Sequence, residues 1–121
     1  MITPINIREN LSFSVLHLDI FPIGEDIAAL LYGGDRPHIG CTVLAVPRPS
    51  LRGDGLMSCT SSVINLTGHK DEQICRYAAE ALCRKYRTAV NCTGGFHFDG
   101  ISEEQIGELM EKLEKLLGFN A

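Results

Sequence analysis

Four apolar runs, each closed by a short turn rich in glycine or proline, come before any helical periodicity in this chain. Phe13 to Phe21 alternates loosely and ends in "FPIGED". Ile27 to Tyr32 runs into Gly33-Gly34, Ile39 to Val46 leads to "LRGDG", and Met57 to Leu66 carries a polar middle at Ser58, Thr60, Ser61 and Ser62. Runs of this length, with β-branched residues and turn punctuation, predict strands. Consecutive strands joined by short turns pair with their neighbours in opposite directions, so the sheet is expected to be mostly antiparallel. Ile39 to Val46 is apolar on both alternating sets and predicts a central strand covered on two faces.

Helical periodicity begins after "TGHKDE". Ile74, Tyr77, Ala78, Ala81, Leu82 and Tyr86 recur at three- and four-residue spacing, one apolar stripe of an amphipathic helix. Asp71 and Glu72 fall in its first turn, Arg84 and Lys85 in its last, and both placements suit the helix dipole. Ala89 to Cys92 predicts a fifth strand. Ser102 and Gln105 then form a capping-box pair ahead of Ile106, Leu109, Met110, Leu113, Leu116 and Leu117, with Gly118 as the stop. The predicted order is β-β-β-β-α-β-α. With 121 residues, this predicts a single α+β domain over 1–121: a mostly antiparallel sheet of about five strands with two helices.

The formal net charge of −4 argues against a general nucleic-acid binder, which needs a basic face to displace phosphate counterions. No run reaches the length of a membrane span, and "MITPINIREN" lacks the basic and apolar regions of a signal peptide. A cytoplasmic protein is the expectation. Five cysteines, odd in number and without a C-x-x-C pair, read as reduced core thiols. Cys75 and Cys83 lie two turns apart on one helix, too far for a disulfide.

Three histidines share a context: His38 in "DRPHIG", His69 in "TGHKDE" and His97 in "GGFHFDG". Each sits beside glycine and a charged residue near an element boundary. His17 falls within a strand pattern and reads as structural. Three readings of the trio stand open. One is an anion site. Gly68, His69 and Lys70 precede a helix whose free amides favour negative charge. Arg36, Arg48 and Arg52 offer cationic forks, and Ser50, Ser61 and Ser62 offer hydroxyl donors. From Gly33 to Lys70, Arg36, Arg48, Arg52 and Lys70 stand against Asp35 and Asp54, a surplus of two. The second is a divalent metal held by some of His38, His69, His97, Asp35 and Asp99, whose types suit zinc or iron although no local ligand pair exists. The third is structural, since turn histidines commonly bond backbone groups. No G-x-S-x-G elbow, Walker loop or dinucleotide fingerprint is present.

Taken together, "GGDRPHIGCTVLAVPRPS", "SSVINLTGHKDE" and "GGFHFDGIS" before a C-terminal amphipathic helix resemble the LpdD-like prenylated-flavin chaperones, over about Gly24 to Ile106. The resemblance implies a small accessory protein rather than an enzyme. It would carry prenylated FMN, or FMN, between a flavin prenyltransferase and a UbiD-type decarboxylase. An alternative is a small metal-dependent enzyme using His38, His69 and His97, or a decarboxylase subunit. A carrier of a dianionic flavin needs cationic or amide donors and an apolar wall, and no catalytic base. The residues themselves nominate Arg36, His38, Arg48, Ser50, His69, Lys70 and His97 as the cofactor-binding rim, with Phe96 and Phe98 as a wall that core packing also claims. This reading requires positions 36, 48, 69 and 97 to converge on one electropositive hollow. The strand edges of a small sheet also make a homo-oligomer an expectation.

Overall fold

The computed structural model describes residues 2–66 and 69–118, the side chains of His69 and Lys70 excepted. Its elements are β1 (Ile5–Asn10), β2 (Val15–Ile23), β3 (Asp26–Gly34), β4 (Cys41–Pro49), β5 (Met57–Asn65), α1 (His69–Tyr86), β6 (Val90–His97) and α2 (Glu103–Leu117). The strands form one six-stranded sheet in the order β1-β2-β3-β6-β4-β5. Every neighbouring pair is antiparallel except β3–β6. That one parallel pairing follows from connectivity: α1 carries the chain from the β5 edge back into the gap between β3 and β4. The architecture is the expected α+β.

Strand β1 is the sixth strand, beyond the five expected. "INIREN" alternates Ile5 and Ile7 with Asn6, Arg8 and Asn10, a pattern too polar to read as a strand alone. At the sheet edge one face suffices: Ile7 packs against the core, while Asn6 donates to Asp19 at 2.9 Å.

Both helices lie on one face. Side chains paired across the register share a face. Glu9 on β1 reaches Lys112 on α2, and Ser61 and Asn65 on β5 reach Glu80 and Glu72 on α1. Between sheet and helices lies the core: Leu16, Leu18, Leu31, Val43, Val90 and Phe96 from the strands, Leu109 and Leu113 from α2. The buried side of α1 is made largely of small residues, Cys75, Ala78, Ala79, Ala81 and Cys83, so its axis sits close to the strands. The stripe is shifted from the predicted one, for Tyr86 is exposed. Helix α2 begins with the expected Ser102–Gln105 capping box, and the Gly118 amide closes on the Glu114 carbonyl.

Neither α1 nor α2 covers the opposite face, and no other helix occurs among the described residues. Phe21, Leu30, Leu44, Val46 and Ile64 are exposed there. Thus β4 is covered on one side only. Its outward apolar residues, read as a second buried set, form instead the centre of an open apolar surface.

Candidate functional site

At the end of the sheet where β3 and β6 finish, Gly34 pairs with His97, and the Asp35 and Arg36 amides both donate to the His97 carbonyl. This pins the "DRPHIG" loop onto "HFDG". Arg36 Nη2 lies 3.1 Å from Asp99 Oδ1 and 3.2 Å from His97 Nε2, and the His97 ring is 2.8 Å from the same carboxylate. Asp35 accepts the Asp99 amide.

His38 lies 6.2 Å from His97, ring centre to ring centre, nearly perpendicular to it. Its Nδ1 faces the Arg36 carbonyl at 3.3 Å, and its Nε2 faces Asp71 Oδ2 at 3.1 Å. Asp71 enters from the first turn of α1 and is only 4% exposed. Its Oδ1 accepts the Phe96 amide at 2.9 Å. Gly40 is what lets the carboxylate through, because a β-carbon there would stand 2.0 Å from Asp71 Oδ2. Asp71, which the sequence offered only as a helix-dipole partner, is the structural pivot of the cluster. Its one signal was "GHKD" itself.

The structure thus brings together Arg36, His38 and His97. It does not bring Arg48 or Ser50 to them. Arg48 is seven residues along β4 from Cys41, roughly 23 Å at about 3.3 Å per residue. There its Nε donates to Thr60 Oγ1 at 2.8 Å, and Ser50 Oγ accepts the Arg52 amide within the β4–β5 hairpin. The pairing of β4 with β5 continues through Pro47, Arg48 and Pro49, so the second Arg-Pro pair is strand, not a shoulder beside the first. His69 and Lys70 open α1 immediately before Asp71, and their side chains lie outside the described residues. Phe96 is fully buried and edge-on to Phe13 at 6.0 Å. It is core and walls nothing, while half-buried Phe98 packs on Phe13 at 4.9 Å.

Among the described side chains the cluster is not electropositive. Asp35, Asp71 and Asp99 outnumber Arg36, and Arg36 is already engaged. The His97 ring first, then the Arg36 guanidinium, hold the Asp99 carboxyl below its usual range. A lowered value means the stabilisation is complete above the ordinary pKa of 3.8 and is lost as pH falls beneath it. Asp99→Asn is therefore expected to lower the urea midpoint at pH 7, with the difference from wild type shrinking steadily below pH 3.8. A gap that widened on acidification would sink the assignment.

Other features offer less. The groove between α1 and α2, about 530 Å³ and lined by Glu72, Gln73, Arg76, Tyr77, Glu80 and Met110, has its arginine bound to Glu72 at 2.7 Å and to Ser61 at 3.0 Å. The five cysteines are unbridged, four of them buried in the core as read and Cys59 partly exposed. Burial pushes the Cys41 thiol up, and pushes Cys83 to about 11, which leaves these two unreactive. Among the described residues no group of three or more His, Cys, Asp or Glu side chains is placed to hold a metal ion, and no described helix is long and apolar enough to cross a membrane. His17 stacks on Tyr32 at 4.9 Å, a structural role as read.

Against known proteins, no curated sequence matches this chain. The fold is similar to a chain in the crystal structure of a chaperone complex for yeast 20S proteasome assembly. The two share 15% identity and a TM-score of 0.57, over 97% of this chain and 93% of that one. The prenylated flavin chaperone LpdD-like domain matches residues 12–118, a span holding every residue of the cluster. By that match the chain belongs to the prenylated flavin chaperone LpdD-like family.

Proposed function

We propose that this protein is a non-catalytic carrier of prenylated FMN. It would receive the cofactor from a flavin prenyltransferase and deliver it to a UbiD-type decarboxylase in the cytoplasm. The observation that carries the reading is the family match across residues 12–118. The Arg36–His38–His97 cluster supports it. Donor groups there converge at a sheet end from the β3–β4 loop and the last residue of β6, and none is arrayed against a serine or cysteine nucleophile.

The fit to the cofactor is partial within one copy. Arg36, His38 and His97 supply directional donors for phosphate oxygens, while among the described side chains Asp35, Asp71 and Asp99 leave no net positive charge for a dianion. The open sheet face supplies an apolar surface for the ring system.

We also propose a homo-oligomer held through that face. Strands of about nine residues, six abreast at about 4.8 Å, give a surface of roughly 700 Å², close to the ~800 Å² per partner of a stable interface.

Titration with anaerobically prepared prenylated FMN is expected to give a flavin spectral change and co-elution of flavin with protein on gel filtration. Arg36→Ala is expected to weaken binding at least tenfold, and to matter little for an analogue lacking the phosphate. No retention of either flavin would overturn the carrier reading.

A further inference from the structure

Two facts resist a one-chain account of the site. Among its described side chains the cluster at the β3–β6 end has one arginine, already engaged by Asp99, and Arg48, Ser50 and Arg52 sit at the far end of β4. The overhangs of the sheet suggest how both resolve. The β4–β5 hairpin continues four register positions past Ala45↔Val90, where β6 begins, and β6 continues three past Cys41↔Gly94. Those are projections of about 13 Å and 10 Å from opposite ends. On the open face, the four strands β3, β6, β4 and β5 carry Asp or Arg side chains only near their termini, at Asp26 and Arg48.

Two open faces related by a two-fold axis can meet in two aligned ways. An axis along the strands stacks like ends and reverses the lateral order, placing both hairpins, and both Arg48 side chains, at the same end. An axis across the strands keeps each strand over its counterpart and exchanges the ends. Only the second brings the hairpin, with Arg48 and Arg52 against Asp54, over the corner where, among the described side chains, Asp35 and Asp99 outnumber Arg36. Charge complementarity selects it. Arg48 projects on the open face, where it holds Thr60. In this crossing it falls over the extension of the other copy's β4, the segment that carries His38.

We infer that two copies pack head to tail through their open sheet faces, and that Arg48 of each completes the Arg36–His38–His97 site of the other. This rests on the carrier reading for the identity of the ligand, and on the geometry alone for the crossing. The site would take a phosphate-bearing ring compound, with the phosphate between arginines of two chains and the ring on the apolar sheet.

Complementation tests it. Arg48→Ala and His97→Ala are each expected to lose at least tenfold in affinity for anaerobically prepared prenylated FMN. When the two variants are unfolded together and refolded as a mixture, half the dimers are mixed and each mixed dimer holds one intact site. About one quarter of wild-type binding capacity should therefore return. No recovery would overturn the two-chain site. A second arm needs no flavin: Arg48→Glu and Asp99→Lys are each expected to weaken dimerisation at least tenfold by sedimentation, and the double variant to restore it. Single variants with unchanged dimerisation, or a double variant weaker than either, would overturn the crossing. Wild-type protein that dimerises normally yet binds no prenylated FMN would count against the carrier reading and leave the crossing to the charge swap.

Discussion

Gly94→Ala is expected to abolish cooperative folding or to lower the melting midpoint by at least about 15 °C. Gly94 lies in the middle of the sheet, in β6, between parallel β3 and antiparallel β4. Its φ is +155°, and an added β-carbon would stand 1.7 Å from the Leu31 carbonyl oxygen and 2.7 Å from that carbonyl carbon. The obstacle is backbone, so no rotamer change relieves it. Leu31 is fully buried and held between β2 and β6, so the strand cannot retreat without parting its pairing. Overlap of this kind belongs with the rare substitutions costing about 4 kcal/mol or more, a large share of the 5–15 kcal/mol that stabilises a typical domain. At a few degrees per kcal/mol for a chain of this size, the shift should be plain in circular-dichroism melts. A midpoint within about 3 °C of wild type would show that β6 does not pass this close to β3.

Asp71→Ala should cost less but tell more. The substitution removes the acceptor of the Phe96 amide and the carboxylate facing His38, in a place nearly closed to water. Losing a buried, hydrogen-bonded carboxylate is worth about 3 kcal/mol. His38→Ala, at a ring about one-third exposed, is expected to cost about 1 kcal/mol. In a double-mutant cycle by urea denaturation the two should couple by about 0.5–2 kcal/mol. Strictly additive effects would mean that the pair does not act as a unit. Asp71→Asn separates charge from shape: it keeps an acceptor for Phe96 and is expected to recover part of the loss.

How legible all this was depends on where the determining contact lies. The capping box of α2, the charges at both ends of α1 and the turns at Gly24 and Gly53 are local, and each was readable within a few residues. β1 was not, because an edge strand needs apolar residues on one side only, and its other side is as polar as a loop. The open face was misread for a related reason. Leu44 and Val46 look like core in sequence, and only the absence of a covering layer reveals them as surface. At the site, proximity in sequence proved a poor guide. "RPHIG" and "PRPS" are near neighbours in the chain, yet a nine-residue strand separates them by its full length. His38, Asp71 and His97, far apart in sequence, meet because antiparallel β4–β6 pairing and the helix return bring their loops to one corner.

The small side chains of α1 carry a last implication. Through its described residues this helix packs on the strands with small, buried side chains, and close-packed interiors do not admit a planar tricycle without being forced apart. On the proposed carrier reading, the flavin would therefore lie on the outer surface of each chain, against the open sheet. There the lid would be a second copy and not a helix, so release would ask the pair to loosen while each chain stays folded.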